Sequence, residues 1–216
     1  MENKNLISTS IFPSFVYHFD DESKIGNLIS LTDKYIEDAY SLNNNKDFGL
    51  THHSTYMQYD SNFKDFMMFV CNKSLEILDE QGFDMSNHFL IVNELWVQEF
   101  AKDGGGYHIP HVHCNSHISG FYFLKCSDKT SFPVFHDPRI NKKMIQLPQK
   151  NEKIITTSSE RIDFKVKPGL FVFFNSYLEH EFIFDHGLEP FRFIHFNVQA
   201  IPKTVLNGEV NEIKRK

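Results

Sequence analysis

The sequence has little of what most strongly labels a chain. Its three cysteines, Cys71, Cys114 and Cys126, form no CxxC pair, and an odd number cannot all be joined internally. Free thiols in a reducing, cytoplasmic setting are therefore expected. No apolar run approaches the roughly 20 residues that a membrane helix requires. The opening MENKNLISTSIFPSF lacks the long apolar core of a secretory signal, so neither membrane nor export is expected. Basic residues are in the minority: 22 Lys and Arg stand against 28 Asp and Glu, a net charge of −6 with neutral histidines. Broad binding to nucleic-acid phosphates needs the opposite balance. Internal repeats and low-complexity linkers are also missing, and tryptophan occurs once.

What is present is a foldable chain rich in two residue types. Hydrophobic residues make up 41% and charged residues 23%, which excludes wholesale disorder. A chain of 216 residues suits one domain with an extension, and one of this size buries about 70–75% of its unfolded surface. It needs no disulfide or metal merely to stay folded. The excesses are 23 phenylalanines and 12 histidines.

Residues 1–86 read as a strand followed by helical support. IFPSFVYHF alternates as an edge strand does. The next stretch repeats Ile25, Leu28, Ile29, Leu31, Ile36 and Ala39 at helical spacing, with acidic residues at its start, where the helix dipole favours them. SLNNNKDFGLTHHS reads as loop. A second helix is expected with Ser61 as its cap, an apolar stripe through Phe63, Phe66, Met67, Val70 and Leu78, and Gly82 as its stop. From residue 87 to 202 the helical period gives way to HFLIVNELWVQEF, HISGFYFLKC, FPVFHD, KIITTS, RIDFKV, LFVFFN, EFIFD and FRFIHFNVQAI, parted by turn signals. Eight short segments of this kind indicate an antiparallel sandwich or barrel with the helices covering one sheet. Residues 203–216 are polar and read as a loose tail.

The densest chemistry is GGGYHIPHVHCNSHISGFYFL, residues 104–124. Residues two apart on a strand share a face, so His111 and His113 can offer two imidazoles to one metal ion. His180 in FFNSYLEHEFIF is the candidate third ligand, and Arg192 opens what should be the return strand of a hairpin. His195 has the opposite strand parity from Arg192 and is expected on the other face. His18, His52 and His53 receive no role. Any one of these features is common in a histidine-rich chain; together they point to a metal site.

The order HVHCNSHISGFYFL, FHDPR, KPGLFVFFNSYLEH and RFIHFN resembles the 2-oxoglutarate/Fe(II)-dependent oxygenases, in particular a bacterial and phage branch of them, over about residues 90–200. The resemblance implies a mainly β fold: a double-stranded β-helix of jelly-roll or cupin-like form, with N-terminal helices on one sheet. It implies Fe(II) on His111, His113 and His180, with 2-oxoglutarate and O2 as cosubstrates and Arg192 gripping the far carboxylate of 2-oxoglutarate. Guanidinium suits that task because it makes paired, charge-assisted hydrogen bonds. Ser119 is implied to face the cosubstrate. Phe123 stands where relatives often carry a tyrosine, which leaves Tyr107 or Tyr122 as substitutes.

His113 occupies a position that is usually an acid. Three imidazoles leave a divalent ion at +2 and admit zinc as well; Asp137 in FHDPR is the alternative carboxylate. The implied activity is a dioxygenase that hydroxylates an unidentified small molecule or side chain, releasing succinate and carbon dioxide, with phenylalanines such as Phe171, Phe173, Phe174, Phe182 and Phe184 as candidate walls. A three-histidine cupin-like metalloenzyme without 2-oxoglutarate and a non-catalytic jelly-roll module remain as alternatives. Metal affinity is expected to fall below about pH 6.5, where free imidazole protonates. The locally basic segment 137–153 suits a lid over an acidic substrate. Neither the substrate nor the oligomeric state is legible.

Overall fold

A computed structural model describes residues 6–42, 50–144 and 147–206 of the chain. The expected polar tail lies outside the described residues except for its first turn, the short helix α3 (Lys203–Leu206). The edge strand forms as β1 (Val16–Asp20), and the first amphipathic stretch forms α1 (Ile25–Leu42). Half of the expected loop after α1, residues 43–49, is likewise outside the described residues, but its first two residues belong to α1 and its end includes a strand, β2 (Thr51–His53). The second helix, α2 (Lys64–Glu80), follows a single 3-10 turn over Ser61–Phe63. Asp60, not Ser61, caps that turn, its carboxylate accepting the Asn62 N–H at 2.9 Å. Gly82 stops the helix at φ 86°, a backbone state that residues with a Cβ resist.

The strand-rich half contains β3 (His88–Phe100), β4 (His108–His111), β5 (Ile118–Lys125), β6 (Pro133–His136), β7 (Arg161–Asp163), β8 (Leu170–Asn175), β9 (His180–Phe182) and β10 (Phe191–Pro202). KIITTS is turn rather than strand. The strands form an antiparallel sheet of six in the order β1-β8-β5-β10-β3-β2 and one of four in the order β4-β9-β6-β7. β9 and β10 therefore lie in different sheets and do not make the expected hairpin. Because β1 and β2 join the large sheet, the boundary near residue 86 marks a change in sequence texture, not a break between packed bodies.

The large sheet is buried on both faces. On its outer face Val97, Tyr122, Phe171, Ile194 and Phe196 pack against Leu28 and Ile36 of α1 and Phe66, Val70 and Ile77 of α2. On its inner face Phe121, Phe123, Phe174, Phe191 and Phe193 meet Phe135 and Phe182 of the small sheet. Each such phenylalanine contributes about 1.5–3 kcal/mol on burial. The close packing of β5, β8 and β10 depends on Gly120: a Cβ there would collide with the Val172 carbonyl oxygen and the Phe196 ring.

Candidate metal centre

The site lies between the sheets, where β4 meets β9. The register sets His111 opposite His180. β4 ends at His111, so His113 is not its strand partner; the chain turns, the His113 N–H donates to the Ser176 carbonyl at 3.0 Å, and Asn115 takes φ 60°. The three rings still converge. One ring nitrogen from each of His111, His113 and His180 lies within 4.8 Å of the other two.

Two backbone carbonyls fix which nitrogens face inward. His111 Nδ1 is 2.8 Å from the Ile109 oxygen and His180 Nδ1 is 3.0 Å from the Leu178 oxygen. A carbonyl only accepts, so Nδ1 carries the proton in both rings and Nε2 keeps its lone pair. Outer-shell carbonyls set metal-binding histidines in the same way. His113 is held from its other side: its Nδ1 lies 3.3 Å from the Asn197 amide, which also donates to Glu94 Oε2 at 2.6 Å. Burial is the largest effect on the pKa of these groups, pushing His113 down to about 4 and His180 down to about 3, with the neighbouring histidines adding to the fall. Neutral imidazoles therefore persist well below pH 6.5 at these two positions, where loss of metal by ligand protonation was expected to begin. Phe121, Phe135 and Phe174 surround the His180 ring at centroid distances of 5.6, 5.9 and 4.7 Å and form a dry wall.

Residues 94–197 match the sequence family described as "Putative 2OG-Fe(II) oxygenase". The matched segment is similar to the 2OG-Fe(II) oxygenases. No curated protein matches the chain. Among solved structures, SnoK, a non-heme alpha-ketoglutarate-dependent carbocyclase from nogalamycin biosynthesis, is similar at a TM-score of 0.57 and 8% identity, covering 87% of this chain and 81% of that one. HygX from Streptomyces hygroscopicus, solved with nickel, 2-oxoglutarate and hygromycin B bound, gives 0.55 and 11%, covering 86% and 83%. A Pseudomonas putida prolyl-4-hydroxylase gives 0.51 and 8%, covering 84% and 91%. At these identities the likeness fixes the fold, which is the double-stranded β-helix.

Iron and 2-oxoglutarate are the cofactors that accompany the 2OG-Fe(II) oxygenase family, and the histidine cluster suits the metal: one ring nitrogen from each of three histidines converges, two of the rings being set by carbonyls. The remaining predicted residues divide between the faces of the large sheet. Ser119 is on the inner face, fully buried, donating to Asn197 Oδ1 at 2.6 Å and paired with Ser176 Oγ at 2.8 Å. Tyr122 is on the outer face, its hydroxyl donating to the Asp21 carbonyl at 2.7 Å. Tyr107 is 56% exposed beside Phe184 on the approach to β4. Of the proposed walls, Phe174 and Phe182 face inward, Phe171 and Phe173 face the helices, and Phe184 is exposed.

Arg192 requires the main correction. It lies on the outer face, where its Nε donates to Glu99 Oε2 at 2.6 Å and its Nη1 to Asp33 Oδ1 at 2.6 Å and Thr32 Oγ1 at 3.2 Å. It is committed to α1 and is not brought to the histidines. Among the described residues no other arginine or lysine is buried. Asp137 is not a ligand either, since its carboxylate is taken by Arg139 at 2.8 Å and Lys142 at 3.0 Å. Burial works against the Asp137 charge, but those hydrogen bonds outweigh it and hold the pKa well below the usual carboxylate range.

Several inner-face groups were missed. His195 stacks on Trp96 with centroids 4.3 Å apart, His53 lies 4.2 Å from Trp96 on its β2 side, and His108 Nε2 pairs with Gln98 Oε1 at 2.7 Å. The Gln98 amide nitrogen is buried without a partner among the described residues. The parity of His195 with Asn197 could have flagged it; His53 and Gln98 carried no signal.

Proposed function

We propose that the chain is an Fe(II)- and 2-oxoglutarate-dependent oxygenase in which His111, His113 and His180 hold the iron and the reaction is hydroxylation of a small molecule. The convergence of those three ring nitrogens within 4.8 Å carries the reading. When bound, iron and 2-oxoglutarate would activate O2, the oxidant that breaks a C–H bond. The chain supplies the rest. The Ile109 and Leu178 carbonyls orient two rings, and Glu94 acts through Asn197 to position His113. Phe121, Phe135 and Phe174 exclude water on the His180 side. With Arg192 engaged elsewhere, a neutral donor would hold the cosubstrate, and the unpartnered Gln98 amide is an available inner-face group.

The test is anaerobic addition of Fe(II) and 2-oxoglutarate, expected to give a weak visible charge-transfer band, with succinate formed on admitting air. No band and no succinate would overturn the reading. A second reading, a three-histidine metalloenzyme that does not use 2-oxoglutarate, is favoured by the lack of an inner-face cation among the described residues. Tight metal binding without that band would select it.

A further inference from the structure

β3 carries one polar side chain into the aromatic layer beside the histidines. Gln98 lies two residues from each of Trp96 and Phe100 on the inner face, is fully buried, and accepts the His108 Nε2–H on its Oε1 at 2.7 Å. The surroundings of this pair are phenylalanine: the His108 ring is 6.1 Å from Phe100 and 6.0 Å from Phe182, and Phe182 stacks on Phe193 at 4.6 Å. His108 is also a neighbour of His111, with ring centroids 5.7 Å apart, so the pair adjoins the candidate metal centre. The Gln98 amide hydrogens meet no acceptor among the described residues. Held for structure alone, a buried amide would normally give them to a carbonyl or a side chain. Left unpaired, they are a standing cost that an acceptor on a bound molecule removes. No cation accompanies them, because among the described residues the one buried guanidinium, that of Arg192, faces α1.

We propose that this site favours a 2-oxo acid whose far end is uncharged and accepts a hydrogen bond, with Gln98 donating to that end and His108 holding the amide in place; this rests on the metal and oxo-acid reading given above. Two observations carry it, the unpaired amide and the lack of a cation beside it. A carboxylate taken out of water needs a paired cation or several donors to offset its lost hydration. One amide set among phenylalanine rings supplies neither. An ester, ketone or amide oxygen loses far less on leaving water, and a single donor satisfies it. 2-Oxoglutarate shares the oxo-acid head and therefore still binds through the metal, more weakly. Gln98 is thus a specificity residue for the tail, while the histidine-held ion takes the head.

The test is calorimetric titration of full-length, Fe(II)-loaded protein without oxygen, using three probes that share one head group: 2-oxoglutarate, its 5-methyl ester, and 2-oxopentanoate, whose tail is plain alkyl. The ester is expected to bind at least about tenfold more tightly than 2-oxoglutarate. In Gln98→Leu the ester should fall to the affinity of 2-oxopentanoate, which itself changes by no more than about twofold. Equal or tighter binding of 2-oxoglutarate in the wild type overturns the inference and leaves the 2-oxoglutarate-dependent reading standing. An ester preference that survives in Gln98→Leu overturns the assignment to Gln98. Binding of none of the three overturns the oxo-acid reading as well. Should Gln98→Leu fail to fold, the wild-type series decides alone.

Discussion

Arg192 illustrates what a buried guanidinium can be held for. With about 3% of its surface exposed, it bridges Glu99 on β3 and Asp33 on α1, and Tyr40 adds a hydroxyl bond to Glu99 at 3.1 Å. Removing one partner of a buried pair leaves the other charge without compensation, at a cost of about 3–5 kcal/mol. Arg192→Met should therefore lower the urea midpoint steeply while metal affinity per folded molecule stays at the wild-type level; lost affinity with intact stability would return Arg192 to the site. The sequence contained half of this. The opposite parity of Arg192 and His195 was legible, but not which one faces the histidines. A sheet with one wet face reveals its core side by alternation. Here Phe191, Phe193, Ile194 and Phe196 are apolar on both sides because helices cover one face and the small sheet the other.

The long strands β3, β5, β8 and β10 could be read from their aromatic and β-branched runs, and both helices from their stripes. The short elements could not. β4 is four residues containing a proline, and β2 is three residues with two histidines, so neither has enough length for a period to show. That matters at the site, because His113 reaches the cluster from a turn after β4 and not from the strand itself. The order of the motifs located the three histidines even though the strand geometry invoked for two of them was wrong. β5 depends on one residue for its fit to its neighbours. Gly120→Ala would drive a methyl group into the Val172 carbonyl and the Phe196 ring, and overpacking of this kind costs about 1–3 kcal/mol. The lower stability should appear as a reduced urea midpoint, and an unchanged midpoint would mean that β5 and β8 can separate freely.

At the scale of the whole molecule, an acidic chain encloses a nest of uncharged imidazoles. His108, His113, His180 and His195 all have pKa values lowered first by burial, His108 and His113 to about 4. Unfolding restores each to about 6.5. Below that pH the unfolded chain binds protons that the native chain refuses, so stability is complete above pH 6.5 and is lost as the pH falls towards 4. Each such group costs up to about 1.4 kcal/mol per pH unit across that window. The urea midpoint of metal-free protein should drop continuously from pH 7 to 4.5, with added zinc restoring part of the loss; a level midpoint would place these rings in water. Proton competition for metal should be shallow as well. Because His113 and His180 stay neutral, protonation of these two rings should contribute little to any fall in metal affinity between pH 6 and 4.5.

The single tryptophan of this sequence lies flat against His195 and within 4.2 Å of His53. Its emission is thus an optical gauge wired directly to the imidazole nest. A paramagnetic ion seated there will darken it, and displacement of that ion will brighten it, so occupancy can be followed in the unlabelled protein with a fluorimeter.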